Sequence, residues 1–346
     1  MNHSPIRRAY TFDDVALVPQ FNNIPSRTEP NLESWLTKNR KVHIPVVNAN
    51  MDTVIGEELA EVLIANGTVP IFHRFADLET QRRWIKRFGD KIFISSGIHN
   101  LSEARELLEL GALGICVDVA HGHSDKMFKF IEEIKHSHPD KDVIAGNVCT
   151  AMAYHDLVNA GADAVKVGIG PGAACTTRIV TGFGVPQFTA IADCARVAER
   201  LRVPLIADGG ITSSREVVLA LAAGASTVML GKLFAATEES AGQKREAKIQ
   251  SGEEVKNFRQ VKYRGQASQD FQSDYYGGLK DKTVAEGVDF WMPVSGSAQA
   301  LIDTLLGGLR SGMTYGGARS IKELQRKAEF VEVSTSYKKE SLPRPG

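Results

Sequence analysis

Cysteine is scarce in this chain, and its spacing argues against the sites that cysteine usually builds. The 346 residues include four cysteines, Cys116, Cys149, Cys175 and Cys194. They form no Cys-x-x-Cys pair and no even-spaced framework, which argues against a disulfide scaffold and a zinc site. A reducing compartment suits such a chain, and we therefore expect a cytoplasmic protein.

The chain also lacks an excess of either charge and lacks long apolar runs. Its 41 basic side chains balance 41 acidic ones, so no general field favours nucleic acid and a phosphate group would have to be recognised locally. No segment reaches the roughly 18 unbroken apolar residues of a membrane span. Asp13 and Asp14 stand where a signal peptide needs its apolar run. We expect neither a nucleic-acid nor a membrane partner.

Eight short apolar runs recur along the chain, and most are followed by a helical pattern. They are residues 44–50, 69–74, 92–97, 113–119, 142–147, 164–170, 204–210 and 227–231. Apolar strands that alternate with helices predict an α/β fold with a parallel sheet covered on both faces, and eight units are typical of a closed (β/α)₈ TIM barrel. The length alone would also permit two ordinary domains. A doubly wound sheet is the alternative, but the G-x-G-x-x-G expected after an early strand is absent.

The pattern changes after the eighth predicted strand. Residues 267–287 are polar, contain glycine and lack an apolar period, which predicts a long mobile flap over the barrel mouth, spanning about 262–290. The last segment, residues 335–346, is predicted to be a disordered tail. The expected organisation is one catalytic barrel domain over residues 1–346.

Glycine and polar residues cluster at the ends of the predicted strands, where a barrel carries its active face. Glycine loops follow predicted strands seven and eight, at Gly209, Gly210 and Gly231. Such loops bind phosphate through backbone N–H groups, although tight turns alone also require glycine. Asp208 could accept hydrogen bonds from ribose hydroxyls. A phosphorylated small molecule is therefore the predicted ligand.

Cys175 differs from the other cysteines because of its surroundings. It lies between glycine-rich segments at the end of predicted strand six and directly before Thr176, Thr177 and Arg178. A thiol reacts as the thiolate, which nearby cationic and donor groups favour. We predict that Cys175 is a nucleophile, that Cys116 and Cys194 are packing residues, and that either role is open to Cys149. The glycine carbonyls around Cys175 could also bind a monovalent cation.

These residues closely resemble the active-site loop of the inosine monophosphate dehydrogenase and guanosine monophosphate reductase family. The segment is "VKVGIGPGAACTTRIVTGFGVPQ" (residues 165–187). Further matches are "FDDVALVP" (12–19), "ANMDTV" (49–54), "DVAHGHS" (118–124), "AGNV" (145–148), "ADGGI" (207–211), "VMLG" (228–231), "YRG" (263–265) and "GGLRSGMTYGGA" (307–318). The resemblance covers nearly the whole chain and agrees with the barrel predicted independently.

The resemblance implies that Cys175 attacks C2 of a purine mononucleotide, GMP or IMP, and that a nicotinamide cofactor exchanges a hydride with that carbon. The implied substrate-binding residues are Asn50, Asp208, Gly210, Gly231, Tyr263, Gly265, Gln266, Ala267 and Ser268. The implied cofactor-binding residues are Arg74, Asp118, Ala120, Asn147 and Thr177. Backbone carbonyls of Gly170, Gly172 and Cys175 are implied ligands of a monovalent cation such as K⁺. A homotetramer is also implied.

Several features favour the reductase branch, in which NADPH reduces GMP to IMP with release of ammonia. Residues 72–84 run on without the regulatory insert that dehydrogenases usually carry, although some dehydrogenases lack it. No Arg-Tyr pair, which the dehydrogenase uses to activate water, lies between Tyr263 and Glu286. "GQASQDFQ" (265–272) and "ANMD" (49–52) are closer to reductases. Thr177 and Glu286 match the pair that handles the proton of the departing ammonia, but dehydrogenases can carry both.

Two departures and three alternatives remain. Ala173 stands where the family commonly has a phosphate-binding serine, which predicts weaker phosphate binding or a compensating contact. Arg74 replaces a lysine of many animal reductases, and its fork geometry suits a cofactor phosphate. The alternatives are an IMP dehydrogenase without the insert (IMP and NAD to XMP), a catalytically weak purine-nucleotide-binding protein, and a flavin-binding barrel.

Overall fold

The computed structural model describes residues 6–251 and 254–343 of the chain. Its first elements are a 3₁₀ turn at Phe12–Asp14, strand β1 (Val15–Leu17), and an antiparallel hairpin of β2 (Ser34–Thr37) and β3 (Arg40–Val42). β1 pairs with residues Phe330–Glu332 close to the carboxyl end. The two ends of the described chain therefore lie side by side.

Eight parallel strands form the central sheet. They are β4 (Val46–Asn48), β5 (Ile71–Phe72), β6 (Phe93–Ser96), β7 (Gly114–Asp118), β8 (Asp142–Val148), β9 (Ala164–Val167), β10 (Leu205–Asp208) and β11 (Thr227–Leu230). Their hydrogen-bonded order is β4-β11-β10-β9-β8-β7-β6-β5. All eight predicted strands are thus confirmed, and the nearly closed sheet confirms the α/β barrel.

Side chains close the seam between β4 and β5, which the strand ladder leaves open. The buried Asn48 donates from Nδ2 to the Ile71 carbonyl at 2.8 Å and accepts the Ile71 N–H at 3.0 Å. The Thr68 hydroxyl donates to the Val46 carbonyl at 2.7 Å. An asparagine side chain carries the same donor and acceptor as a peptide group. The Asn48 side chain therefore makes the hydrogen bonds to Ile71 that the backbone of a neighbouring strand would otherwise make.

Helices cover the outer face of the sheet. They are α1 (Glu57–Ala65), α2 (Leu78–Phe88), α3 (Leu101–Glu109), α4 (Asp125–Ser137), α5 (Ala151–Asn159), α7 (Gln187–Leu201), α8 (Ser214–Ala222) and α9 (Lys232–Ala235). The short helix α6 (Thr177–Thr181) follows β9 and has no buried residue, so it does not take part in this cover. Side-chain oxygens of Asp77, Ser124, Thr150 and Ser213 accept bonds from N–H groups in the first turn of α2, α4, α5 and α8. These caps start the helices just after the loops that follow the strands.

Two apolar layers make up the core. Inside the barrel, inward residues such as Phe93 and Ile206 pack with Leu36 and Val42 of the β2–β3 hairpin. Between the sheet and the helices lies the second and larger layer. Cys116 and Cys194 are fully buried in these two layers. Burial raises the pKa of Cys116 to about 12, so this thiol is a packing residue, as predicted.

The elements after the barrel differ from the prediction in two places. They are β12 (Lys244–Ser251), β13 (Glu254–Arg264), α10 (Gln269–Tyr276), β14 (Asp289–Pro293), α11 (Ala298–Tyr315), α12 (Ile321–Lys327), β15 (Phe330–Glu332) and α13 (Ser336–Glu340). The predicted flap contains a helix, α10, whose eight residues include too few apolar side chains to show a helical period. The predicted disordered tail contains α13, where the Tyr337 ring lies 5.9 Å from Arg215 Cζ; residues 344–346 lie outside the described chain. No described helix is long and apolar enough to cross a bilayer.

We expect Asn48→Ala to destabilise the barrel at its seam. The substitution leaves the Ile71 N–H and carbonyl without their partners in a buried position, and each unsatisfied group costs about 1–3 kcal/mol. Urea unfolding followed by circular dichroism should therefore show a loss of about 2–6 kcal/mol. Asn159→Ala, at an exposed amide of α5, is the control. Equal losses in both variants would contradict the role of Asn48 in closure.

Candidate active site

The residues predicted for the site lie at one end of the barrel or in the segment above it. Asn50, Arg74, Asp118, Ala120, Asn147, Cys175, Asp208, Gly210 and Gly231 lie at or after the carboxyl ends of barrel strands. Tyr263 lies in β13, Gly265–Ser268 connect β13 to α10, and Glu286 precedes β14. The carboxyl ends of parallel strands meet at one rim, which places these residues together.

Cys175 lies in the loop between β9 and α6. Its N–H donates to the Gly172 carbonyl at 3.0 Å, and its half-buried Sγ lies 3.3 Å from Thr177 Oγ1. A hydroxyl can donate as well as accept, so the Thr177 hydroxyl can stabilise an ionised sulfur. The predicted nucleophile therefore has a donor group beside it.

Arg178 holds the glycine loop around Cys175. Its Nε donates to the Ile169 carbonyl at 3.2 Å, and its Nη2 donates to the Val185 carbonyl at 2.5 Å. A Cβ on Gly170 would lie 2.5 Å from Arg178 Cγ, and φ there is +86°. Partial burial lowers the pKa of Arg178, and attraction from Cys175 opposes that shift. A positive charge thus lies close to the thiol.

A second loop packs directly against this one. A Cβ on Gly168 would lie 2.0 Å from the Asp208 carbonyl oxygen, so glycine is required where β9 passes β10. The buried Gln187 donates from Nε2 to the carbonyls of Val167 at 2.8 Å and Asp208 at 3.1 Å. Gln187 was not among the residues predicted for the site. It fixes the Cys175 loop relative to the residue predicted to bind ribose.

A buried lysine joins the predicted substrate residues to the predicted cofactor residues. Lys166, on β9, is 1% exposed. Its Nζ lies 2.6 Å from Asp118 Oδ1, 3.4 Å from Asp208 Oδ2 and 3.4 Å from Asn50 Oδ1. Asn147 Nδ2 donates to Asp208 Oδ2 at 2.8 Å. Lys166 was not among the residues predicted for the site, although a lysine inside the apolar run "AVKV" indicates a buried charge that needs an opposite charge beside it.

These buried groups hold one another in the charged form. Burial opposes the charge on Lys166, yet Asp118 and Asp208 raise its pKa above the usual range. Burial likewise tends to raise the pKa of Asp118, but Lys166 and then Arg74 outweigh it and lower that pKa. The rim of the barrel therefore presents the Asp118 carboxylate in its ionised form at neutral pH.

The glycine loops after β10 and β11 meet Tyr263. Gly209 and Gly210 have φ of +90° and +78°, and a Cβ on Gly209 would lie 3.1 Å from the Gly172 backbone nitrogen. A Cβ on Gly231 would lie 2.7 Å from the Tyr263 hydroxyl oxygen. Burial raises the pKa of Tyr263, which keeps its hydroxyl a donor. This corner places the backbone of two glycine loops beside a hydroxyl group, a combination suited to binding phosphate.

Backbone hydrogen bonds join the flap segment to the mouth. Thr176 N donates to the Glu286 carbonyl at 2.9 Å, and Glu286 N donates to the Ala267 carbonyl at 3.0 Å. Gln266 Nε2 donates to the Asn50 carbonyl at 3.0 Å. The predicted proton-transfer residue is thus brought to the Cys175 loop through its backbone, while no hydrogen bond of its carboxylate is seen in the described part of the chain.

The predicted cofactor residues contain a donor and an acceptor that have no partner in residues 6–251 and 254–343. These are the buried Arg74 Nε and Asn147 Oδ1. Arg74 otherwise contacts the Tyr276 hydroxyl at 3.4 Å and the Phe75 ring at 4.3 Å. Ala120 is exposed. Buried polar atoms are normally satisfied, so the two open atoms fit a polar ligand in this part of the mouth.

Comparison with known proteins gives a consistent assignment. A family model described as "IMP dehydrogenase / GMP reductase domain" matches residues 9–344. The inosine-5'-monophosphate dehydrogenase of Aquifex aeolicus is 49% identical over 249 residues, which are 72% of this chain and 50% of that enzyme. This chain thus aligns with about half the length of that relative.

Two other relatives match over nearly their full length. The inosine-5'-monophosphate dehydrogenase of Borreliella burgdorferi is 35% identical over 97% of both chains, and the GMP reductase of Vibrio vulnificus is 34% identical over 93% of this chain and 94% of its own. A crystal structure of a cysteine-to-alanine variant of GMP reductase from Trypanosoma brucei, in complex with guanosine 5'-monophosphate, superposes with a TM-score of 0.88 at 26% identity, over 99% of this chain and 98% of that one. The chain therefore belongs to the IMP dehydrogenase / GMP reductase family, whose members are oxidoreductases that act on purine nucleotides with a nicotinamide cofactor.

Proposed function

We propose that this protein is an NADPH-dependent GMP reductase, which converts GMP to IMP and ammonia. The relatives do not decide between the two branches, because dehydrogenases and reductases are similarly close. The observation that carries the proposal is the flap. Between Tyr263 and Glu286 the arginine is Arg264, and its guanidinium is bound by Asp52, Asp270 and Asp274. No arginine there is free to activate water, as a dehydrogenase requires.

The connection after β5 supports the same branch. Only residues 73–77 separate β5 from α2, and dehydrogenases usually carry a regulatory insert in this connection. The alternative, an IMP dehydrogenase without the insert, would need another residue to activate water. A binding protein with weak catalysis would have no use for a thiol beside a hydroxyl at 3.3 Å.

The proposed reaction begins with addition of the Cys175 thiolate to C2 of GMP. The C2–N bond then breaks, and the amino group leaves as ammonia after it has taken up a proton through Thr177 and Glu286. A bound nicotinamide cofactor supplies the hydride that C2 accepts. The C2–S bond breaks last, which releases IMP and restores the thiolate. Cys175 thus divides one difficult substitution into two easier steps.

The remaining residues bind and orient the substrate. Asp208 faces the ribose, and the loops of Gly210 and Gly231 with the Tyr263 hydroxyl face the phosphate. Ala173 is exposed at the mouth and has no hydroxyl to add, so the Tyr263 hydroxyl is the proposed compensating contact. Gln266 and the backbone of Ala267 and Ser268 face the purine.

The cofactor is proposed to bind beside Arg74, Asp118 and Asn147. The open Asn147 Oδ1 can accept from an amide, and the open Arg74 Nε can donate to an anionic group. Lys166 keeps Asp118 ionised next to them. We therefore assign Arg74 and Asp118 to binding, and Asn147 to orienting the group that carries the hydride.

The carbonyls of Gly170, Gly172 and Cys175 offer the neutral oxygens that a monovalent cation such as K⁺ prefers. The Gly172 carbonyl accepts one bond, from Cys175 N at 3.0 Å, which leaves a second lone pair. Arg178 already places a positive charge close to Gly170, which opposes a second cation there. The ion is therefore proposed only to stabilise the loop, and it takes part in no step of the reaction. No cluster of three His, Cys, Asp or Glu residues suited to a metal ion occurs within the described ranges. A homotetramer in the cytoplasm remains part of the proposal.

The function is tested by following nicotinamide absorbance in two mixtures, GMP with NADPH and IMP with NAD. A fall in the first, with ammonia released, is the expected result. Cys175→Ala should abolish this turnover and leave GMP binding intact, because the variant lacks only the sulfur. Cys149→Ala, at the other partly exposed cysteine, should remain active. A rise in the second mixture alone would establish a dehydrogenase, and a fully active Cys175→Ala would exclude the covalent mechanism.

We expect Glu286→Gln to slow turnover by about 10²–10⁴-fold, the usual contribution of general acid–base catalysis. Glutamine keeps the backbone bonds that join residue 286 to Thr176 and Ala267 but cannot carry a proton. Single-turnover kinetics over a pH series is the measurement. Asp281→Asn, at an exposed carboxylate of the same segment, is the control. A rate no lower than that of the control would remove the proton role from Glu286.

We expect Lys166→Met to lower the free energy of unfolding by about 3–5 kcal/mol at pH 7, since it leaves buried carboxylates unpaired. In the wild type, the pKa of Asp118 is lower in the folded than in the unfolded protein. The stability that Asp118 contributes is therefore present above the ordinary carboxyl pKa and is lost as the pH falls through the pKa of the folded state. Without Lys166, burial favours protonated Asp118, and acid then stabilises the variant relative to the wild type.

The difference between the two proteins should therefore shrink as pH is lowered from 7 toward about 4. Urea unfolding at several pH values measures it. Lys322→Met, which removes a pair that is exposed on both sides, should change stability by no more than about 1 kcal/mol. A difference that is constant or grows in acid would show that Lys166 does not hold Asp118 ionised.

A further inference from the structure

Arg264 occupies an unusual position between the flap and the barrel. We infer that Arg264, with Asp52, Asp270 and Asp274, forms a latch that holds α10 against the barrel mouth and thereby positions the substrate-facing segment 265–268 and Glu286. Arg264 is on this view a positioning residue, since it acts through the flap. The effect of the latch on catalysis rests on the proposed function, whereas the latch itself rests only on the contacts described below.

The geometry of the latch uses three nitrogens of one guanidinium. Arg264 is the last residue of β13 and is 8% exposed. Its Nε and Nη2 lie 2.9 and 2.5 Å from Asp52 Oδ2. Its Nη1 lies 2.7 Å from Asp270 Oδ2 and 2.5 Å from Asp274 Oδ2. Asp52 belongs to the loop after β4, and the other two belong to α10. A single side chain therefore spans from the barrel to the flap helix.

Apolar contacts hold the same helix from a second direction. Phe271 of α10 is fully buried, and its ring lies 4.5 Å from that of Phe75, which follows β5. Arg264 Cζ lies 5.1 Å from the Phe271 ring and 5.6 Å from the Tyr275 ring. Arginine is suited to such a place because its flat group stacks on rings while its edge binds carboxylates. Lysine offers only a point charge there.

The charges of the latch depend on Arg264. Three carboxylates meet two cations, because Lys262 Nζ lies 2.6 Å from Asp270 Oδ1. Burial raises the pKa of Asp52, and Arg264 opposes that rise. Lys262 and then Arg264 lower the pKa of Asp270. Without Arg264, one cation would face three acids, and Asp52 would be left in a partly buried place with no cation bound to it. Loss of Arg264 should thus convert attraction into repulsion between α10 and the barrel.

The helix in turn fixes the segment that faces the purine. The buried Ser268 caps α10 through a bond from Phe271 N at 3.2 Å. Gln272 Nε2, within α10, donates to the Gln266 carbonyl at 3.0 Å, and Ala267 accepts the bond from Glu286 N at 3.0 Å. A shift of α10 would therefore move residues 265–268 and Glu286 together. Asp208 has a separate support in the barrel through Gln187 and Asn147, whereas the Cys175 loop is held both by Arg178 and by the bond from Thr176 N to the Glu286 carbonyl.

The first measurement is amide hydrogen exchange on the free protein, which needs no turnover. Arg264→Gln should speed exchange in residues 265–287 at least about tenfold, with the barrel strands unchanged. Asp52→Asn, which removes the barrel end of the latch, should act in the same direction. Arg264→Lys should give an intermediate effect. Arg245→Gln is the matched control, because Arg245 lies in the same sheet and contacts Gln260 and Trp291 without reaching the barrel.

The second measurement is steady-state kinetics with GMP and NADPH. Arg264→Gln should raise KM for GMP and lower kcat, each at least about tenfold, and Arg264→Lys should recover part of both. Exchange and kinetics equal to those of Arg245→Gln would overturn the latch. Faster exchange over the whole barrel would show a general structural role instead, and a faster flap with unchanged kinetics would overturn the positioning role. If the wild type does not turn over GMP, the proposed function is wrong. Amide hydrogen exchange in residues 265–287 would still show whether Arg264 holds α10 against the barrel.

Discussion

The active face depends on one positive charge inside the barrel. Lys166 of β9 lies between Asp118 at the end of β7 and Asp208 at the end of β10, at 2.6 and 3.4 Å. A buried ammonium is stable only beside opposite charges, and Lys166 in turn lowers the pKa of Asp118. The residues assigned to cofactor and substrate therefore share one cation. Their charges are arranged before a ligand binds, which is the condition for electrostatic preorganisation.

The barrel could be predicted because its strands are buried on both faces and read as apolar runs. The rim residues could be predicted for a related reason: parallel strands end at the same side, so a polar residue after each run falls near the others. Helix α10 could not be found this way. It has eight residues, and the contact that fixes Phe271 comes from Phe75, a distant part of the chain. A two-turn helix held from outside leaves no periodic signal of its own.

The ion pairs of the site were harder to predict than its polar atoms. Lys166 is 48 positions from Asp118 and 42 from Asp208, and Arg264 is 212 from Asp52. Such pairs depend on the closed barrel and have no local spacing rule. The only signal in the sequence is a charged residue in a strand whose neighbours are apolar. That signal shows that a buried partner of opposite charge is needed but does not identify it. Glycine and cysteine at strand ends are different, because the residues next to them in the sequence are enough to predict their roles.

The two buried cations have different surroundings, and on the proposed function this difference would divide the site into a fixed part and a movable part. The ammonium of Lys166 is enclosed by barrel strands, so separating it from its carboxylates would leave charges without water or a partner. Arg264 is different, because the Asp274 side chain is 60% exposed and can be hydrated as the flap lifts. Opening therefore costs far less at the latch than in the barrel. On the proposed function, a nucleotide would enter by displacing α10, while Asp208 and the glycine loops after β10 and β11 would keep the geometry that the chemistry needs.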